Sequence, residues 1–185
     1  MLIISGIDSI FEAGEADGLY AIQYEGHSTN IFTELLQQYK NYDDILSWLK
    51  DYNKKYHYNK LSTFKLESTA RHVVLEAQTI ERTLQKAFTS AHGLNTTILN
   101  EVLESFYPHN IRAQNISLSY WKLKTNLSQK LLRFYAIRLH TQCEQYLITG
   151  GAIKLTMRME LPHLQEQITL LHNAKSWLEN QGFNL

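Results

Sequence analysis

Eight basic side chains fall between residues 111 and 158, against one acid, Glu144. They are Arg112, Lys122, Lys124, Lys130, Arg133, Arg138, Lys154 and Arg158, and Tyr120, Trp121, Phe134, Tyr135 and Tyr146 lie among them. Arginine and lysine grip phosphate by charge and hydrogen bonds, and aromatic rings stack unpaired bases. A surface of this make-up suits single-stranded nucleic acid. His140 sits within the same stretch and is the one histidine placed to move protons there. The same residues also fit a solvated basic face, or one that folding neutralises against the acidic first half, where residues 1–80 carry 11 acids and 7 bases.

Other chemistries find little support. GxSxG, HExxH, a phosphate-binding P-loop and GxGxxG are all absent. The eight histidines are scattered without metal-ligand spacing, and one cysteine cannot build a zinc framework, so no metal and no cofactor is expected. Gly150-Gly151 stands between two apolar runs with no helix directly after it, which reads as a tight turn or bulge and not as a phosphate cradle. Cys143 lies in a polar turn with nothing nearby that marks an activated thiolate.

Positioning the basic stretch falls to strands. In Leu132–His140, Arg133, Tyr135 and Ile137 share one strand face, while Phe134, Ala136 and Arg138 share the other. The run around Ile116, Leu118 and Tyr120 alternates in the same way, and the run around Gly150-Gly151 reads as two more short strands. Upstream, Leu2–Ile4 and the stretch from Leu19 to Tyr24 suggest a hairpin. Helical spacing follows over about 31–40, from Asp43 to Tyr52, over Leu66–Ser90 and over about 95–106, where Pro108 ends it. Pro162 opens a last helix carrying Leu164, Ile168, Leu171, Ala174 and Leu178. The order implies one α+β domain over 1–185, with an antiparallel sheet and a helical section, 62–110, inserted between its N-terminal and C-terminal strands.

Three segments resemble the RelE/HigB-type toxins, and most closely their phage-derived HigB-like branch. Leu123-Lys124 followed by Phe134-Tyr135-Ala136-Ile137-Arg138 is similar to a family strand ending in arginine. Tyr146-Leu147-Ile148 is similar to the strand after it. Gly151-Ala152-Ile153-Lys154-Leu155-Thr156, then Pro162 and a helix, is similar to the closing segment. Glu144-Gln145 stands where the family carries an arginine, and the 62–110 section has no family counterpart. The resemblance implies a RelE-like sheet and an RNA-binding protein or metal-independent ribonuclease, one that has diverged from the active toxins. In that chemistry the RNA 2′-hydroxyl attacks the adjacent phosphate. Arg138 and Lys154 would stabilise the charge, and Tyr135 or His140 would move protons. Lys122, Lys124, Arg133 and Arg158 would hold flanking phosphates. RNA or the ribosome, and an antitoxin-like protein, are the partners it implies.

The alternative is a non-enzymatic interaction module whose basic hairpin is only surface. A homo-oligomer packed through the helix at 66–90 is a third reading. The N-terminus has no basic, signal-like region and no apolar run is long enough for a membrane span, so no membrane partner is expected; with the single cysteine this points to the cytoplasm. The strand spacing further predicts that Arg138 and Lys154 lie on neighbouring strands within reach of one phosphate.

Overall fold

A computed structural model of the chain describes residues 2–13, 17–56, 63–89, 93–105, 120–127, 129–139, 143–155 and 161–183. The elements are β1 (Ile4–Ala13), β2 (Asp17–Tyr24), α1 (Ile31–Lys40), α2 (Tyr42–Tyr56), α3 (Thr63–Phe88), the short helical turn α4 (Thr96–Leu99), β3 (Leu103–Ser105), β4 (Tyr120–Leu123), β5 (Leu132–Arg138), β6 (Gln145–Ile153) and α5 (Pro162–Asn180). The fold is α+β. Six strands form one sheet in the order β1-β2-β6-β5-β4-β3, so strands from both ends of the chain share it. The sheet is mixed and not antiparallel throughout. β2 runs parallel to β6, and the other pairings are antiparallel. Parallel neighbours need a long crossover, and here everything from α1 to β5 supplies it.

Local chemistry sets the boundaries. The Asn30 side chain accepts from the Thr33 amide at 3.0 Å and caps α1. The Asn41 side chain accepts from the Asp43 amide at 3.1 Å and starts α2. Gly182, at φ 89°, takes the left-handed conformation that ends α5, and the Phe183 amide returns to the Leu178 carbonyl at 3.1 Å.

Neighbouring glycines of β6 show how the layers stack. A methyl group on Gly151 would meet the Arg133 carbonyl and the Phe134 ring at 2.9 Å, with Leu35 of α1 behind them, whereas one on Gly150 would run into Gln167 of α5. Successive strand residues face opposite ways, so α1 and α5 cover opposite faces. α2 and α3 pack with α1 on its side. Phe134, fully buried, meets Phe32 and Tyr39 of α1 with ring centroids 5.0 and 5.8 Å away.

Two readings of the sequence change. Residues 95–106 are not one helix. Asn95 caps only a single turn, after which Leu103–Ser105 joins the sheet edge against β4. Apolar residues at 98, 99, 102 and 103 satisfy helical and extended spacing alike, and the Lys124 amide to the Val102 carbonyl, 2.8 Å, secures the extended form. The runs around Gly150-Gly151 are one strand, with an irregularity where Tyr135 faces Gly150 and Ala136 faces Ile148, leaving Thr149 as the extra residue.

The Glu76 carboxylate of α3 is fully buried beneath the start of β5. It accepts from the Leu131 and Leu132 amides at 2.9 and 2.7 Å and from the Thr125 hydroxyl at 2.7 Å. Burial raises its pKa, against those hydrogen bonds and the nearby His72. The folded state therefore holds this proton to higher pH than the unfolded chain does, and the Glu76 contribution to stability falls as pH rises from about 4.5 through the raised pKa. Glu76→Ala is expected to cost about 3 kcal/mol in urea unfolding, because buried donors lose their acceptor. Glu76→Gln, which keeps an oxygen for the two amides, is expected to cost less than half as much and to remove that pH dependence. An unchanged pH profile in Glu76→Gln would rule out the raised carboxyl.

Candidate functional site

Arg138 ends β5 and is already engaged. Its Nη2 lies 3.0 Å from Glu144 Oε1, and its guanidinium carbon sits 5.9 and 6.0 Å from the Trp121 and Tyr146 ring centroids. The Tyr146 hydroxyl donates to the other Glu144 oxygen. The Glu144 amide in turn donates to Asp17 at 2.9 Å, which ties this corner to β2. Arg138 and Glu144 are 25% and 31% exposed, so the pair is largely withdrawn from water. Arg138 Nε is buried with no hydrogen-bond partner among the described residues.

Lys154 lies at the other end of the hairpin. Arg138 pairs with Tyr146, whereas Lys154 follows Ile153, the partner of Leu132. Six residues of strand separate the two positions, roughly 20 Å. The two cations cannot share one phosphate, because the β5–β6 ladder is long and they occupy opposite ends of it. Tyr135 is also displaced from Arg138, on the opposite sheet face. It is 1% exposed, and burial pushes its phenol up to about 12 in spite of Arg133 beside it. A hydroxyl so enclosed is a poor proton carrier near pH 7. His140 and Arg158 lie outside the described residues.

Four of the expected cations do converge. Lys122 and Lys124 both bind Glu104 of β3, Lys122 at 2.9 Å. Arg133 shares its face with Lys122 and Tyr135, since Lys122 pairs with Tyr135. Its Nη1 donates to the Leu132 carbonyl at 2.8 Å. Arg133 pairs with Ala152, so Lys154, two residues on, is its diagonal neighbour on that face. Burial lowers the Lys154 pKa, and repulsion from Arg133 and Lys122 lowers it further. Burial likewise lowers that of Arg133, opposed by Glu76, Tyr135 and Glu104. The result is a positively charged corner with Glu104 as its ion-paired acid among the described residues.

The rings expected to stack bases are otherwise occupied. Tyr120, Phe134, Tyr135 and Tyr146 are buried in the sheet's own packing, and Trp121 lies edge-on to Tyr146. Sequence reasoning overlooked Glu104, which lies outside the basic stretch in a segment read as helix. Glu144 stood out as the one acid of the basic stretch and as a departure from the family pattern, but not as the partner of Arg138. Comparison with family models, with curated proteins and with solved structures finds no significant match to this chain.

The Arg138–Glu144 pair predicts a coupling that can be measured. Glu144→Ala should cost about 2 kcal/mol by leaving a half-buried guanidinium without its acceptor. Arg138→Met in the same background should recover at least 1 kcal/mol, as read from a double-mutant cycle in urea. Additivity within about 0.3 kcal/mol would mean that Glu144 does not hold Arg138.

Proposed function

We propose that this protein binds RNA without cleaving it, as a diverged relative of the RelE/HigB-type toxins, and that the corner formed by Lys122, Arg133 and Lys154 holds the phosphates. The observation that carries the reading is the convergence of these cations on one face at one end of the β4–β5–β6 meander. Like charges placed together repel, and beside burial, its larger cause, this repulsion lowers the Lys154 pKa. An arriving phosphate relieves that repulsion and favours the protonated amine, so the corner is already biased towards an anion. Phosphate contacts of this kind give affinity and position without reading sequence.

The same geometry argues against transition-state chemistry at Arg138. Its charge is matched by Glu144, and the phenol nearest the cationic corner, Tyr135, is held protonated by burial. The proposed role is therefore recognition of the RNA backbone, which suits the cytoplasm.

Salt dependence tests this. Each phosphate neutralised on a single strand contributes a log–log slope of about −0.7, so three contacts give about −2. Titration of a short single-stranded RNA is expected to show that slope, and Lys154→Gln should flatten it by about 0.7. The double substitution Arg138→Gln with Glu144→Gln, which preserves net charge, should leave it unchanged. If no complex forms at about 20 mM salt, where counterion release favours binding most, the RNA reading is wrong.

A further inference from the structure

The sheet opens where β2 leaves β6. Their parallel pairing stops at Ala21 and Ile148, yet β6 runs on to Ile153. The Lys154 amide donates to the Leu131 carbonyl at 2.7 Å, which fixes the alternation beyond the irregularity at Thr149. Gly150, Ala152 and Lys154 turn their backbone groups towards β5, so those of Gly151 and Ile153 face the gap. The Ile153 carbonyl is taken by His163 Nε2 at 3.1 Å. The Gly151 N–H and C=O and the Ile153 N–H face the same gap.

A cavity of about 130 Å³ lies against this edge, bordered by Tyr39 and Trp48 on one side and by His163 and Gln167 of α5 on the other. Gln167 Oε1 is buried with no hydrogen-bond partner among the described residues. Exchanging the amide's oxygen and nitrogen would leave an orphan donor in place of an orphan acceptor. Among the described residues, none that lines it carries a fixed charge. His163 donates through Nε2 to a carbonyl, so Nδ1 is left as an acceptor, and burial lowers its pKa so that the ring is neutral near pH 7.

These features describe the ligand. A charged group would enter without a counter-charge and is disfavoured. An aliphatic group would leave the strand edge and Gln167 unsatisfied. The volume is well below the roughly 300 Å³ at which pockets for drug-sized molecules begin. A single flat, neutral ring with donors and acceptors on its rim answers each condition. Lys154 is the next residue after Ile153 and belongs to the cationic corner, so the corner and the gap adjoin along β6.

We propose that the cavity at the free edge of β6 binds one unstacked nucleobase, stacked on Trp48 and hydrogen-bonded at its rim by Gly151, Ile153 and Gln167. The proposal rests on the RNA reading for the source of the base. It also moves the ring that meets the base from the buried aromatics of β5 and β6 to Trp48, which itself stacks on Tyr52 at 5.1 Å and lies edge-on to His163 at 5.7 Å.

Two probes separate the two claims. A short single-stranded RNA and an abasic ribose-phosphate oligomer of equal length are titrated against the intact protein, and the free ribonucleosides are added separately while the Trp48 indole N–H is followed by NMR. The base-containing strand is expected to bind roughly 10- to 100-fold more tightly than the abasic one, with at least one nucleoside shifting the Trp48 signal. Gln167→Met should reduce that preference several-fold without lowering the melting temperature, because it removes a buried unsatisfied atom. A merely structural glutamine would give the opposite pattern. Equal affinity for the two oligomers, with no nucleoside shifting Trp48, overturns the base pocket and leaves the phosphate corner standing. Nucleoside binding with no salt-dependent binding of either oligomer keeps the pocket and overturns the RNA reading.

Discussion

A single buried carboxylate joins the helical layer to the sheet. Glu76 of α3 collects two amides at the start of β5 and the hydroxyl of Thr125 at the end of β4. Without it, three polar groups at the turn between those strands would lack their acceptor. Withdrawing a carboxylate from water costs several kcal/mol, and each hydrogen bond to a charged acceptor returns about 1.5–3 kcal/mol. The two sides oppose each other, and the raised pKa shows desolvation ahead. What the contact provides is therefore geometric definition more than net stability. It sets the start of β5 against α3, and thereby the places of Arg133 on β5 and of Lys154, whose amide is bound by the Leu131 carbonyl. His72, one helical turn before Glu76, binds the Gln129 carbonyl at 2.7 Å and secures the same turn from outside.

The basic stretch is resolved pairwise and not as a uniform strip. At one end of the hairpin, Arg138 is matched by Glu144 and enclosed by two rings. At the other, Glu104 serves two lysines while Arg133 and Lys154 add further charge to the same corner. Sequence counting treats these positions as equal contributors to one electrostatic field. The sheet register makes them unequal, because it decides which cation finds an acid across the strand.

Much of the fold was legible for a physical reason: long amphipathic segments declare themselves. α1, α2, α3 and α5 follow from the spacing of their apolar residues and from Asn30, Asp43 and Pro162 at their starts. β5 was read from the alternation of Arg133 and Arg138 with bulky residues, although Phe134–Ile137 are all buried. β1 was legible only at its first residues, because irregularities near Gly6 and Ser9–Phe11 break the period of two. The parallel β2–β6 pairing was hidden, since strand direction after a long crossover leaves no local signature. The site fared differently. Residue types at 122, 124, 133 and 154 named cations that the sheet brings to one corner, but Lys154 had been grouped with Arg138 and Tyr135, which lie elsewhere. Acids distant in sequence were invisible, and so was the length of the ladder that keeps Arg138 from Lys154.

Gly150 and Gly151 show how one local feature serves both packing and a site. A side chain at Gly151 would run into the Arg133 carbonyl and the Phe134 ring of β5, whereas one at Gly150 would have to displace the end of the Gln167 side chain of α5. The extra residue between this pair and Ile148 turns the Thr149 carbonyl to the Tyr24 hydroxyl, 2.9 Å away, at the point where β2 ceases to pair. That contact closes the sheet up to Thr149 and leaves the edge beyond it open. With no side chains on the two glycines, the backbone itself is the nearest surface, and its polar groups face the gap at fixed spacing. An edge of this kind inside a protein normally gains another strand. Here Trp48 of α2 and His163 and Gln167 of α5 border the space beside that edge, about 130 Å³.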